Sequence, residues 1–220
     1  MNRPVAPIPG DRLLNTVEAR LSPAHTALIV VDMQNDFCAA GGYIETVVGK
    51  DAAACRAVAR PIIELVGAAR RASVPVYWIR ANYALDGLPA GMRVKFGGRG
   101  NGAVCCAPGT WGAEPFEVAP LPGEAIVEKR CYSAFRGTDL DTRLRTAAVR
   151  TVVLAGVQTN ICIDSTMRDG SSLGFHVVVA ADCVASHTPD LHEATLKNAA
   201  FVFGDVLSRR EIAALWQSGD

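Results

Sequence analysis

Three reactive side chains stand at or just beyond the ends of short apolar segments. Asp32 follows TALIVV (26–31), Lys129 closes AIVEK (125–129), and Cys162 lies in GVQTNIC, just past TVVLAG (151–156). A carboxylate, an ammonium and a thiol brought together make a nucleophilic site. A free thiol has a pKa of about 8.5, and a helix N-terminus with a cation beside it lowers that value. On this reading Cys162 opens a helix with Lys129 at its side. Asp32 accepts the thiol proton and returns it to a leaving amine. Backbone N–H groups of the turn before the helix can hold the oxyanion of a tetrahedral intermediate. Each residue also has a plainer reading: Cys162 as a buried structural thiol, Asp32 as a turn cap, Lys129 as a solvated lysine.

The elements that must position these groups are legible in the hydrophobic pattern. Segments 26–31, 75–80, 125–129, 151–156 and 176–182 read as strands, with a short sixth near 203–207. TALIVV is apolar throughout, as expected of a strand covered on both faces. Helical stretches lie between them: 51–72, divided or reopened at Pro61; 138–149, capped by Thr138 or Asp139; 162–173, stopped by Gly174; 191–201, with Asp190 near its cap; and 209–216. Strand alternating with helix implies right-handed crossovers and helices on both faces of a parallel sheet. The expected fold is α/β, a three-layer α/β/α sandwich with a central, mostly parallel six-stranded sheet. In such sheets ligands bind beyond the carboxyl ends of the strands, which is where Asp32, Lys129 and Cys162 fall. Residues 1–24 read as an arm and 25–220 as a single domain. The Gly-rich stretch 82–112 has no sustained periodicity and reads as a lid or binding loop.

Composition excludes several partners. The chain has 220 residues and 23.3 kDa, with 22 Lys plus Arg against 22 Asp plus Glu. A zero net charge argues against nucleic acid. No apolar run approaches the roughly 20 residues that span a bilayer, so no membrane partner is expected. The first residues carry no secretory h-region. The seven cysteines are odd in number and match no CxxC pattern, as expected of free thiols in a reducing cytoplasm. Cys38 and Cys131, close in sequence to Asp32 and Lys129, could line the pocket, although small packing residues are the preferred reading. The vicinal Cys105–Cys106 pair suggests metal or redox chemistry, although exposed incidental thiols are the preferred reading.

ALIVVDMQNDFC, VEKRCYSAF and GVQTNICIDSTMRDG together resemble the isochorismatase-like cysteine hydrolases, from about residue 26 to the C-terminus. The resemblance implies a Rossmann-like topology and a catalytic set of Cys162, Asp32 and Lys129. It implies a cis peptide at Val157–Gln158, with the Gln158 and Cys162 amides as the oxyanion hole. Members of the N-carbamoylsarcosine and ureidoacrylate amidohydrolase type cleave C–N bonds of amides, ureas or lactams through a thioester acyl-enzyme. The family assembles into dimers or tetramers, so a homo-oligomer is expected. A nicotinamidase-like metal pattern, Asp-x-His after the second strand, is missing from RANYALDGLPAGMR; His25, His176, His187 and His192 lie elsewhere. No metal and no other cofactor is therefore expected. True isochorismatases lack the nucleophilic cysteine, and Cys162 is present.

Candidate pocket residues are Phe37, Tyr132 and Phe135, which flank the motifs, and Asn82 and Arg93 in the Gly-rich stretch. Arg93, Lys95 or Arg99 could clamp a substrate carboxylate; a solvated loop is the alternative. The glycines there do not join a strand to a helix, so a nucleotide site is rejected. The expected partner is a small amide or ureido substrate. Two further readings are a lactam- or imide-opening hydrolase and a non-catalytic binding member with an unreactive Cys162. The residues leave the substrate itself open.

Overall fold

The computed structural model describes residues 13–97 and 102–217. Residues 1–12 of the expected arm, Arg99 and residues 218–220 lie outside the described residues. Six strands form one sheet in the order β3-β2-β1-β4-β5-β6. They are β1 (Thr26–Val31), β2 (Val76–Ala81), β3 (Ala125–Lys129), β4 (Thr151–Val157), β5 (His176–Ala185) and β6 (Asp205–Leu207). Every pairing is parallel, so the sheet is wholly rather than mostly parallel.

Side chains of a strand alternate between faces, and β1 shows what that does here. Leu28 and Val30 join Ile62, Leu65 and Val66 of the Ala59–Arg71 helix and Ile212 and Trp216 of the Arg209–Gln217 helix. Ala27, Ile29 and Val31 join Leu140 and Leu144 of the Leu140–Thr146 helix and Met167 of the Asp164–Ser172 helix on the other face. All six residues of β1 are therefore buried, which explains its unbroken apolar run. Among the described residues, no helix is long and apolar enough to cross a membrane.

The order of strands reverses beside β1: the chain runs outward through β2 and β3, then returns to β4 on the other side. This switch point opens a crevice between the ends of β1 and β4. Val31 pairs with Gly156 there. Gly156 has φ 116°, and a Cβ on it would run into the Val31 carbonyl oxygen. Only glycine lets the two strand ends approach this closely.

The structure differs from the sequence expectation in four local features. The break in the 51–72 stretch falls at Val58, between helices Ala53–Ala57 and Ala59–Arg71, and Pro61 sits in the first turn of the second helix, where its missing N–H costs little. Cys162 does not open a helix; it lies inside a wide π-type turn, Thr159–Ile163, that leads into Asp164–Ser172. The 82–112 stretch is not structureless, because Ala90–Gly97 is helical and Leu85–Gly87 and Trp111–Ala113 form single turns. Strand β5 runs on to Ala185, past a register shift opposite Leu154 and Gly156, and so reaches the same edge as β4.

Candidate active site

The carboxyl edge of the sheet brings Asp32, Lys129 and Cys162 together. Asp32 is the first residue beyond β1 and takes φ 53°, a left-handed conformation that aspartate tolerates better than most residues. Lys129 ends β3, two strands away, and its long side chain returns across the edge to reach Asp32. The two charges are 2.8 Å apart, Nζ to Oδ2, and both side chains are essentially inaccessible to solvent. The ammonium also donates to the Tyr83 hydroxyl at 3.0 Å and the Cys131 carbonyl at 3.0 Å. Three nearby oxygens match its three hydrogens. Cys162 Sγ is a fourth, longer neighbour at 3.4 Å.

Burial sets the ionisation of this group. It pushes the Cys162 thiol up to about 12; Lys129 pulls it back and Asp32 pushes it further. The thiol is thus protonated at neutral pH, contrary to the lowered pKa expected from a helix-opening cysteine. Burial likewise raises Asp32 above its ordinary value, against the pull of Lys129 and a hydrogen bond from Cys162. Burial, the largest single influence, would depress Lys129, but Asp32 and the Cys162 sulfur together outweigh it and hold the ammonium above its usual value. A protonated thiol, a carboxylate with raised proton affinity and a fixed cation can generate a thiolate at the moment of attack.

The Val157–Gln158 peptide bond is cis. The Gln158 side chain is buried beside Cys162. Its Oε1 accepts the His187 backbone N–H at 3.1 Å and the Cys55 thiol at 3.3 Å, and lies 3.1 Å from His187 Nδ1. Its Nε2 has no hydrogen-bond partner among the described residues.

A pocket of about 260 Å³ opens onto Cys162, and Phe37, Tyr83, Phe96, Tyr132, Gln158 and His187 are among its walls. The motif after β1 ties down Ala81, Cys106, Trp111 and Ala113 near this pocket. Gln34 clasps Ala81 through both ends of its amide and donates to the Ala113 carbonyl. Asn35 donates to the Trp111 carbonyl at 2.8 Å. Asp36 accepts the backbone N–H of Tyr43 and of Cys106.

Of the candidate pocket residues, Phe37 and Tyr132 line the cavity, and three others lie outside it. Phe135 stacks on Phe175, centroids 5.7 Å apart, in the core on the opposite face. Asn82 is pinned away by its own hydrogen bonds, donating to Glu128 at 2.9 Å and accepting the Ala84 N–H at 3.2 Å. Arg93 turns back to the Leu88 carbonyl, while Lys95, on the same helix, lines the pocket. Cys105 and Cys106 are buried rather than exposed, with their sulfurs 3.8 Å apart, and Cys105 is part of the pocket wall. With Asp36 they place three possible metal donors within 4.8 Å of one another, although the Asp36 carboxylate is engaged by two backbone amides. Cys38 is fully buried, and Cys131 is half-buried.

Sequence reasoning missed Tyr83 and His187 at the site, and also the pocket-wall residues Tyr43, Ile44, Val48 and Phe96. Tyr83 and His187 each lie two residues past a strand end, β2 and β5; the strand-end rule applied to the second strand points to Tyr83, whereas His187 depends on the extension of β5 to Ala185, which the hydrophobic pattern does not show. Tyr83 is the more intimate: its hydroxyl is 3.5 Å from Cys162 Sγ, and burial, then the adjoining sulfur and carboxylate, keep its phenol protonated.

A model of the Isochorismatase domain matches residues 26–211. The chain is 35% identical to ureidoacrylate amidohydrolase RutB of Methylorubrum extorquens over 195 residues, 81% of this chain and 77% of that one. It superimposes on a cysteine hydrolase from Pseudomonas syringae pv. phaseolicola with a TM-score of 0.82 and 31% identity, covering 91% of this chain and 96% of the other. N-carbamoylsarcosine amidase from Thermoplasma acidophilum aligns with a TM-score of 0.68 and 26% identity, covering 84% and 96%.

Proposed function

The chain belongs to the isochorismatase family, and from that premise we propose that it is a cysteine hydrolase cleaving the C–N bond of a small amide, ureido or carbamoyl compound. The observation that carries this reading is the buried triangle of Cys162, Lys129 and Asp32 at a pocket, with Lys129 Nζ 2.8 Å from the carboxylate and 3.4 Å from the sulfur. The names of the amidohydrolase and amidase relatives support the choice of bond.

In the proposed mechanism Cys162 Sγ adds to the substrate carbonyl carbon while its proton passes to Asp32. The carbonyl electron pair moves onto oxygen, which the Gln158 and Cys162 backbone amides receive; one such donor is typically worth about 3–4 kcal/mol of transition-state stabilisation. The pair returns, the C–N bond breaks, and the nitrogen leaves with the proton held by Asp32. Water then adds to the thioester, giving a proton to Asp32. The C–S bond breaks and the sulfur recovers that proton. The sum is amide plus water to acid plus amine, with the protein unchanged. Lys129 keeps Asp32 oriented and offsets the charge that develops on sulfur.

Ammonia release from ureido and primary-amide compounds tests this, with wild type and Cys162→Ala compared. Turnover that disappears in the variant supports the reading. Turnover undiminished in Cys162→Ala overturns it.

A further inference from the structure

The pocket walls say more about the substrate than the triangle does. Phe37, Tyr43, Ile44, Val48, Phe96 and Tyr132 present rings and branched aliphatic chains to the space in front of Cys162. Phe37, Tyr43 and Ile44 are buried, so these walls belong to the core and are not loose surface. The Tyr83 ring fixes their angles: Phe37 meets it edge-on with centroids 6.2 Å apart, Phe96 tilts against it at 5.6 Å, and Tyr132 meets it edge-on at 6.5 Å. A cavity of about 260 Å³ with such walls exceeds what an amide or ureido group alone can fill. Apolar walls favour an apolar occupant, because each methylene moved from water into contact with them is stabilising.

Among the described residues, one lysine or arginine lines the same space. Lys95 lines the pocket from the exposed surface of the Ala90–Gly97 helix, and no carboxylate among the described residues lies within ion-pair distance of it. An ammonium at the outer end of an apolar pocket suits an anion on the far side of the ligand from the reacting carbonyl.

Resting on the amide-hydrolase reading, we propose that the substrate is an N-carbamoyl or amide compound whose substituent is apolar, alkyl or aryl, and carries a carboxylate that meets Lys95. Apolar N-carbamoyl amino acids have this chemistry: the ureido carbonyl goes to Cys162, the side chain to the aromatic walls and the carboxylate to the pocket mouth.

The test is kcat/KM for the N-carbamoyl derivatives of glycine, alanine, norvaline, norleucine and phenylalanine, beside ureidoacrylate and the methyl ester of the norleucine compound. Along the straight-chain series kcat/KM is expected to rise about fourfold per methylene. Phe96→Ala should flatten that slope. The free acid should exceed its ester by about tenfold, and Lys95→Gln should remove the difference. Preference for ureidoacrylate or carbamoylglycine over the norleucine compound would overturn the apolar assignment and leave the hydrolase reading standing. Equal rates for acid and ester would overturn the role of Lys95. Absence of Cys162-dependent turnover across this panel, with primary amides hydrolysed, would overturn this inference and leave the hydrolase reading standing; absence on primary amides as well would overturn both.

Discussion

The Tyr83 hydroxyl lies 3.5 Å from Cys162 Sγ while accepting a hydrogen bond from Lys129 at 3.0 Å. Because the phenol oxygen takes the ammonium hydrogen, its own hydrogen can point to the Cys131 carbonyl or to the sulfur, each 3.5 Å away. As the thiol becomes a thiolate, the contact with the sulfur becomes a charge-assisted hydrogen bond. Tyr83→Phe keeps the ring that orders Phe37, Phe96 and Tyr132 and removes the hydroxyl, which is both a donor to the sulfur and an acceptor for Lys129. A hydrogen bond to a charged group contributes about 1.5–3 kcal/mol, so kcat/KM should fall roughly 10- to 100-fold with the fold intact by circular dichroism. Wild-type kinetics in this variant would exclude the contact from catalysis.

The ionisation of the site predicts its pH dependence. In the proposed mechanism Asp32 must be a carboxylate to take the thiol proton, and burial raises its pKa. As pH falls through that raised value, Asp32 protonates and activity is lost. The acid limb of kcat/KM should therefore lie above the ordinary aspartate value of about 3.9. A limb at or below that value would contradict the assignment.

The thiol itself should behave as a high-pKa group. With Cys162 pushed up to about 12, its alkylation by iodoacetamide, followed by peptide mass mapping, should accelerate about tenfold per pH unit between pH 7 and 9. A rate already level below pH 7 would mean a resting thiolate–ammonium pair instead.

Lys129 and Asp32 should be coupled in stability. Lys129→Met leaves the Asp32 carboxylate buried without its cation, a change that costs about 3–5 kcal/mol. Asp32 then titrates at a still higher pKa in the folded state than in the unfolded one. The neutral form is favoured on folding, so the deficit relative to wild type is full at pH 8 and shrinks as pH falls toward the ordinary carboxylate range. Urea unfolding at pH 8 and pH 5 measures it; an equal deficit at both would mean that packing, not charge, is lost.

Phe135 separates core from pocket. It stacks on Phe175 behind the sheet, so Phe135→Ala should lower stability by about 3–5 kcal/mol and leave KM for a substrate unchanged. A raised KM with unchanged stability would return Phe135 to the pocket.

The sequence alone determined the architecture and where a candidate site would fall. Periodicity separates buried strands from amphipathic helices, and alternation of the two leaves a parallel sheet as the solution that buries both. The strand-end rule then selects Asp32, Lys129 and the turn containing Cys162, because backbone topology brings the ends of β1, β3 and β4 to one edge however far apart they are in the chain. Only the tertiary structure decided which side chains face the crevice. Phe135 and Tyr132 are three residues apart, yet one stacks in the core and the other lines the pocket. Arg93 and Lys95 share one helix, and only Lys95 lines the cavity. It also decided the thiol's ionisation, since desolvation depends on what surrounds a group in three dimensions. Those facts come from contacts between distant segments, which local periodicity does not encode.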